Sequence, residues 1–271
     1  MDVTPAQARR FRATVYGYFR KHRRDFPWRH TTDPYRIMVS EVMLQQTQTD
    51  RVVGKYRLFL KRFPTVGSLA RARTRDVLAA WQGLGYNRRA VALQNAARVI
   101  VELHNNRVPS DSGPLNALPG IGPYTAAAVS AFAFDRPAVM LETNIRTVLI
   151  HHFFPKRKIV HDRELIPIME TVLDRKNPRT WYSALMDYGA SLKKRLPNPG
   201  RRSAHYTPQK KFAGSNRQVR GAVVRLLLER PLTAAQLRLK LPFGVAMLPS
   251  VLRKLVQERL IGKRSDRYRI V

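Results

Sequence analysis

A chain of 271 residues in which 44% of the side chains are apolar can bury the core of one large or two modest domains, and this composition excludes a wholly disordered chain. Its 50 Lys and Arg against 18 Asp and Glu, a formal charge of +32, predict a polyanionic partner, nucleic acid before an acidic membrane surface. The sequence contains no cysteine, which excludes disulfides, thiolate–zinc sites and cysteine-ligated iron–sulfur clusters.

Neither a membrane span nor a secretory signal is expected. No apolar run approaches the roughly 20 residues that cross a bilayer. The first residues include Arg9, Arg10 and Arg12 and lack the apolar stretch of a signal peptide. These features predict a cytoplasmic protein.

Helical spacing of apolar residues runs through most of the chain, and prolines fall between the periodic segments. Nine helices are predicted in the first 195 residues, at 4–22, 36–48, 51–63, 74–81, 88–104, 124–134, 144–154, 163–173 and 180–194. No alternating strand pattern precedes residue 255, so this part of the chain is predicted to be all-α.

The composition changes near residue 193, where a basic stretch rich in Pro and Gly lacks apolar periodicity. Beyond it, the sequence predicts three short helices at 218–228, 233–240 and 249–258, then two strands around a Ser265–Asp266 turn. This pattern is typical of a winged helix, whose basic wing would contact phosphates or whose surface would bind a protein. The predicted divisions are a helical core (1–195), a basic linker or arm (196–216) and a winged-helix-like module (217–271).

The segment LNALPGIGPYTA, at 115–126, is the most informative stretch of the core. It predicts two helices joined by a turn in which Gly120 and Gly122 permit positive φ and let backbone N–H groups approach an anion closely. The start of the second helix adds a partial positive charge. We expect this hairpin to bind one DNA phosphate without reading sequence, although the same turn also occurs as an ordinary helix connection.

Five further blocks occur in a recognisable order: FPWR (26–29), PYRIMVSEVMLQQTQT (34–49), RFPTVGSLA (62–70), WQGLGYNRRA (81–90) and MDYGA (186–190). With the hairpin, they resemble the helix-hairpin-helix (HhH-GPD) base excision DNA glycosylases, and among these the mismatch adenine glycosylases, over about residues 20–192. The resemblance implies an all-α fold, a six-helix barrel domain beside a smaller helical domain with DNA between them, here followed by a winged-helix-like α+β module. It also implies a partner, double-stranded DNA with a mismatched or damaged base; we expect a monomer associated with the nucleoid.

Glycosidic bond cleavage in duplex DNA requires a flipped base, a proton donor for the leaving base and an anion near the cationic sugar. Glu41 is the candidate donor: on a helix it would share a face with Gln45 and Gln48, flanked by apolar Val39 and Val42, and burial would raise its pKa. In the family, the glutamate of SEVMLQQ protonates the adenine ring, and the resemblance gives Glu41 this role.

Glu142 is the candidate anion. It precedes a helix that Thr143 or Asn144 would cap, and the positive end of that helix would keep a carboxylate ionised. Helix capping by itself also explains an acidic residue here. The family normally has aspartate, so the carboxylate of Glu142 is displaced by about one C–C bond, and Asn144 is expected to support Glu142 or the sugar.

Tyr124 separates two subclasses of the family. Bifunctional relatives place at this hairpin position a lysine that forms a Schiff base with DNA. Because tyrosine cannot do so, the resemblance predicts a monofunctional glycosylase without strong AP-lyase activity.

The resemblance also assigns a base pocket and a set of residues that enter the duplex. Trp28, Arg29 and Asp187 match residues around the flipped adenine, as a wall, a donor and an acceptor for the exocyclic amine. Core packing explains Trp28 equally well, and helix polarity explains Asp187. The residues that match those filling the gap left by the flipped base are Gln45, Gln46 and Tyr86, while Asn87 replaces the second tyrosine of the family's GLGYY.

Adenine glycosylases commonly bind a [4Fe–4S] cluster through four cysteines after the MDYGA block. This chain has none, so we expect no cofactor and no metal, and we interpret His151 and His152 as structural. Basic residues of the corresponding segment would contact phosphates instead: Lys193, Lys194, Arg195, Arg201 and Arg202.

Three functions stay open at this point. The first is an adenine glycosylase acting opposite G or 8-oxoguanine. The second is a sister enzyme acting on T or U opposite G, or on a modified base, which the exchange at Glu142 and the Asn87 departure favour. The third is a non-catalytic protein that binds damaged DNA, which the presence of Glu41 and Tyr124 disfavours.

Overall fold

The computed structural model describes residues 3–209 and 211–271, and helices predominate in this part of the chain. The α-helices are α1 Pro5–His22, α2 Pro34–Leu44, α3 Thr49–Arg62, α4 Val66–Arg71, α5 Thr74–Ala80, α6 Arg88–Leu103, α7 Ser112–Ala117, α8 Pro123–Phe134, α9 Thr143–Phe153, α10 Asp162–Val172, α11 Pro178–Arg195, α12 Asn216–Glu229, α13 Ala234–Lys240 and α14 Leu248–Gln257. The strands are β1 Leu232–Thr233, β2 Ile261–Arg264 and β3 Arg267–Ile270. Among the described helices, none is both long and apolar enough to cross a membrane.

The predicted helices are confirmed, most of them with small shifts at their ends, and among the described α-helices and strands α4 and β1 were not predicted. Helices α4 and α7 have six residues each, too few to show a helical period, and α7 was predicted only as the first helix of the hairpin. Strand β1 has only two residues and pairs antiparallel with β3, which lies between β1 and β2 in the sheet. Within the described residues, β1 is the one strand before residue 255, where the sequence predicted none.

One compact unit comprises Met1–Met38, Ser110–Ala117 and Ile121–Pro208. Helix α11 packs against α9 and α1, and its buried Trp181 meets Phe11 of α1 edge-on at 5.8 Å between ring centroids. Helices α8 and α10 complete this core with buried alanine, leucine and isoleucine side chains. The packing of α9 against α11 is what positions the candidate residue Glu142.

The second unit comprises Val39–Pro109, Leu118–Gly120 and Gln209–Val271. Helices α4 and α5 pack on α6, and Phe59 of α3 meets the fully buried Trp81 edge-on. The C-terminal helices and the sheet follow the order α12–β1–α13–α14–β2–β3, which is that of a winged helix. Helix α12 also contacts α5, and Arg75 donates to the carbonyls of Leu228 and Glu229. The C-terminal module therefore packs against the other helices of the second unit.

Part of the predicted linker at 196–216 is ordered against the first unit. Pro199–Arg202 forms a 3-10 turn, and Val160 pairs with Ser203. The Arg202 guanidinium donates to the carbonyls of Phe154, Pro155 and Arg157, which follow the end of α9. Arg202 therefore stabilises this segment and the turn that follows α9, and its contact with a phosphate stays a prediction.

Candidate active site

The hairpin has the predicted form of two helices, α7 and α8, joined by a glycine turn. Gly120 has φ +76°, and a Cβ there would lie 2.6 Å from the Ala92 Cβ, so both conformation and space require glycine. Gly122 is the N-cap of α8 and, like Gly120, is exposed. An exposed backbone at the start of a helix is the arrangement that binds anions.

Glu41 lies in the last turn of α2 and is only 6% exposed. Its neighbours Val39, Val42 and Met43 are buried, so the predicted apolar surroundings are confirmed. The predicted shared helical face with Gln45 and Gln48 is wrong. Helix α2 ends at Leu44, and the chain turns at Gln45 and Gln46.

Arg89, which sequence reasoning did not single out, holds the turn after α2. Its Nη1 donates to the carbonyls of Val42 (2.9 Å), Met43 (3.0 Å) and Gln45, and its Nη2 donates to the Thr47 hydroxyl (2.9 Å). These acceptors are carbonyl and hydroxyl oxygens rather than carboxylates, and burial lowers the pKa of Arg89 to about 10. Arg89 stays protonated at neutral pH and ties the end of α2 to the start of α6.

The same guanidinium reaches the loop that carries Tyr86. Its Nη2 donates to the Leu84 and Gly85 carbonyls, each at 3.2 Å, and its Cζ lies 5.4 Å from the Tyr86 ring centroid. Gln46 and Tyr86 both adopt left-handed backbone conformations, with φ 54° and 48°. Two residues that the resemblance assigns to the duplex are thus presented by adjacent, strained turns that one arginine holds.

Glu142 itself caps α9, where Thr143 or Asn144 was predicted to do so. Its Oε1 accepts from the backbone N–H groups of Asn144 (2.6 Å) and Ile145 (2.9 Å). Its Oε2 accepts from the Asn144 side-chain amide at 3.2 Å, so the expected support from Asn144 is present. Oε1 therefore caps the helix, and Oε2 accepts from the Asn144 side chain in these contacts.

The charge state of Glu142 reflects opposing effects. Burial among protein atoms raises its pKa, against the expectation that the helix end alone would hold it low. The Lys193 ammonium, the two backbone N–H donors and Arg146 act in the other direction. Burial also lowers the pKa of Lys193, and Glu142 opposes this, so each of the two charges favours the ionised form of the other.

Gly189, of the MDYGA block, sets the approach of α11 to the start of α9. A Cβ at Gly189 would lie 2.8 Å from the carbonyl carbon and from the Cβ of Asn144, and closer still to its carbonyl oxygen. Helix α11 can therefore pack here only with glycine at this position.

Gly189→Ala is expected to destabilise the protein by about 1–3 kcal/mol through overpacking. Thermal unfolding monitored by circular dichroism measures the change. Gly54→Ala is the matched control: Gly54 is exposed in α3 with open space at its Cβ, so alanine is expected to be neutral or mildly stabilising. Equal melting temperatures for Gly189→Ala and the unchanged protein would contradict the packing described.

Tyr124 is the second residue of α8, after Pro123 at the first helical position. It is half-buried and packs against the core of the first unit. Its place at the hairpin is as predicted, and its side chain is a phenol with no amine to attack a sugar.

Asp187 is fully buried and its oxygens are occupied within the protein. It accepts from Arg24 Nε (2.6 Å) and N–H (3.0 Å) and from both terminal nitrogens of Arg29 (2.8 Å each). Burial opposes its ionisation, but the hydrogen bonds and charges of Arg29 and Arg24 outweigh burial and hold the pKa of Asp187 below its usual range. In this geometry Asp187 and Arg29 bind each other, and their contacts with a base stay a prediction.

Trp28 lies in the 3-10 turn Pro27–His30 and stacks on Phe26, with ring centroids 5.1 Å apart and planes 13° from parallel. The guanidinium groups of Arg24 and Arg29 lie 5.0 and 5.2 Å from the centroid of the Phe26 ring. Trp28 is half-buried, so part of its surface stays accessible to a ligand.

Of the paired histidines of α9, His152 has the structural contacts that were predicted for both. His152 is hydrogen-bonded to the Tyr188 hydroxyl at 3.0 Å and packs edge-on against Phe11, and burial lowers its pKa to about 4. Within residues 3–209 and 211–271, no group of three or more metal-binding side chains comes together.

Comparison with known proteins supplies the family. The model of the "HhH-GPD superfamily base excision DNA repair protein" family matches residues 39–170. Adenine DNA glycosylase of Mycobacterium tuberculosis (strain CDC 1551 / Oshkosh) is 34% identical over 93% of this chain and 90% of its own length. Thymine/uracil-DNA glycosylase of Methanothermobacter thermautotrophicus is 30% identical over 70% of this chain and 88% of its own length.

A solved structure agrees with this relationship. A thermostable thymine-DNA glycosylase superposes with a TM-score of 0.62 at 29% identity, covering 70% of this chain and 88% of the other. The fold predicted from the hairpin and the five blocks is confirmed. The chain belongs to the HhH-GPD superfamily of base excision DNA repair proteins and is a DNA glycosylase.

Proposed function

We propose that the protein is a monofunctional glycosylase that releases adenine mispaired with G or 8-oxoguanine. The observation that carries this choice is the extent of the match. The mycobacterial adenine glycosylase aligns with 93% of the chain, a share that has to include most of the C-terminal module, whereas the thymine/uracil glycosylase aligns with 70%.

In the proposed reaction the extruded adenine meets Glu41, whose carboxyl group transfers a proton to a ring nitrogen. The glycosidic electron pair leaves with the base, and the sugar becomes oxocarbenium-like. The Glu142 carboxylate stabilises this cation, and water adds to the sugar to leave an abasic site. The buried position of Glu41 and the fixed geometry of Glu142 support these roles.

Binding of the duplex is proposed to use three sets of residues. The hairpin at Gly120 and Gly122 holds a phosphate of double-stranded DNA. Trp28 provides the wall on which the flipped base stacks. Gln45, Gln46 and Tyr86 enter the duplex, and their presentation by Arg89 supports this assignment.

The protein is proposed to work as a monomer without an iron–sulfur cluster. The residues of this chain do not fit such a cluster, because the sequence contains no cysteine to supply a thiolate ligand. Arg202 and the Val160–Ser203 pairing order the segment that follows α11 in this chain.

The substrate is tested with matched duplexes that carry one A:8-oxoG, A:G, T:G or U:G pair or one deaminated or alkylated base, followed by alkali to cleave abasic sites. We expect strand cleavage at adenine opposite G and 8-oxoguanine. Cleavage confined to T:G or U:G would replace the proposal with the second candidate, which the Glu142 and Asn87 exchanges and the thymine/uracil relative favour. Binding without cleavage at any base would favour a damage-binding protein.

Tyr124→Lys is expected to introduce lyase activity, because an amine at the hairpin can attack the sugar of an abasic site. Borohydride reduction would then trap a covalent protein–DNA adduct, visible as a shifted band in denaturing gels. Tyr124→Phe serves as the control and should give no adduct. Equal trapping by the unchanged protein and Tyr124→Lys would contradict the monofunctional assignment.

Lys193→Met is expected to shift the acid limb of the pH–rate profile upward by about one pH unit. Burial raises the pKa of Glu142 and Lys193 opposes this, so its removal raises that pKa further. Since the anion is the active form, activity is then lost at a higher pH as the solution is acidified. Single-turnover rates across the acid range measure the shift, and exposed Lys194→Met is the control. Superimposable profiles for Lys193→Met and the unchanged protein would show that Lys193 does not lower the pKa of Glu142 in the active enzyme.

A further inference from the structure

The hydroxyl of Tyr86 is bound by two side chains from the C-terminal part of the chain. Arg217 Nη1, at the start of α12, donates to the Tyr86 oxygen at 2.8 Å. Gln209 Nε2 donates to the same oxygen at 3.2 Å. The Arg217 Cζ also lies 5.6 Å from the Tyr86 ring centroid, close enough for a cation–π interaction.

Tyr86 is therefore held both by a residue near it in the sequence and by two residues far from it. Arg89, three residues further along the chain, binds the backbone of the preceding residues and lies 5.4 Å from the ring. Arg217 and Gln209 lie more than 120 residues further along the chain and bind the tip of the side chain. A tyrosine with φ 48° needs such restraint, because a non-glycine residue pays a conformational cost there.

The C-terminal module is anchored well enough to act as a fixed support. Arg75 donates to two carbonyls at the end of α12, Arg220 of α12 pairs with Glu258, and Glu258 also lies 3.9 Å from Arg88 at the start of α6. These contacts join the two ends of α12 to the elements that carry Tyr86. They all lie within the second unit.

We propose that the C-terminal module, together with Gln209 of the linker before it, is a working part of the base-flipping apparatus, with Arg217 and Gln209 as positioning residues that hold Tyr86 by its hydroxyl in the orientation that enters the duplex. This inference rests on the proposed function, in which Tyr86 fills the gap left by the base. It gives the module a role besides the contact of its basic wing with phosphates. Loss of the Tyr86 hydroxyl removes both hydrogen bonds, and loss of Arg217 removes the one from the charged donor, so either change loosens the hold on the side chain.

The test is a double-mutant cycle in the full-length chain with Tyr86→Phe, Arg217→Met and the double variant. Tyr86→Phe keeps the ring and removes only the hydroxyl. Each single variant is expected to lower the single-turnover rate of base release by about tenfold, the value of a hydrogen bond from a charged donor, and the loss in the double variant should be well below the product of the two single losses. The fluorescence of 2-aminopurine placed beside the mismatch should fall in parallel, because it reports unstacking of the duplex.

Two controls separate this role from a phosphate contact or a folding defect. Arg225→Met removes the same charge from an exposed position of α12 and should leave the rate and the fluorescence unchanged. Melting temperatures verify that each variant is folded. Additive losses in the double variant, or equal weakening of binding to undamaged and mismatched duplexes by Arg217→Met with unstacking unchanged, would overturn the proposal. Failure of the proposed function is seen separately, as an unchanged protein that unstacks the mismatch without releasing a base.

Discussion

Glu41→Gln is expected to lower the rate of base release by about 10²–10⁴-fold while leaving DNA affinity unchanged. Glutamine keeps the shape of the buried side chain, and its amide cannot transfer the proton that the leaving base requires. The effect should lie in the single-turnover rate constant, since binding uses other residues. Rapid-quench measurement of abasic sites and equilibrium binding to the same mismatched duplex give the two quantities.

The matched control is Glu102→Gln, an exposed position at the end of α6 in the same unit. It removes the same negative charge from a protein of high positive charge, so it measures any general electrostatic effect on DNA binding. Both rate and affinity should stay at the level of the unchanged protein. Full turnover by Glu41→Gln would show that the proton comes from another group.

Asp187→Asn is expected to cost about 3–5 kcal/mol of the free energy of unfolding. The substitution leaves the Arg29 guanidinium, only 10% exposed, without its counter-charge, whereas the partly exposed Arg24 loses less. Chemical denaturation of the variant measures the change. Because the pKa of Asp187 is held low, its contribution should be present above about pH 4 and should disappear as the pH falls through the pKa of the folded state.

Asp25→Asn provides the comparison for this substitution. Asp25 is 82% exposed and pairs with His30 at the surface, so its loss is expected to change stability by less than about 1 kcal/mol. A fall of similar size in both variants would mean that the Asp187 ion pair has no special role. An Asp187→Asn protein as stable as the unchanged protein would contradict the structural role of this ion pair.

The parts of the structure that could be predicted from sequence are those with a local signature. Apolar spacing located the long helices, and Gly120 was recognised because a turn with positive φ needs glycine. The apolar neighbours of Glu41 follow from adjacent positions in one helix.

What could not be predicted depends on contacts between distant residues. Asp187 accepts from Arg29, 158 residues away, and no periodic pattern marks such a pair. Arg89 acts through carbonyl oxygens, which every residue carries, so its acceptors leave no trace in the sequence. The early end of α2 follows from the turn that Arg89 holds, which explains why Gln45 and Gln48 were wrongly placed on a continuing helix.

The most direct test of the central claim is to identify the freed base by mass spectrometry after the protein is given A:8-oxoG, T:G and U:G duplexes together in one reaction. Free adenine is expected, released from the A:8-oxoG duplex, and none from Glu41→Gln over the same time. Free thymine or uracil in place of adenine, or the same yield of adenine from Glu41→Gln, would contradict it.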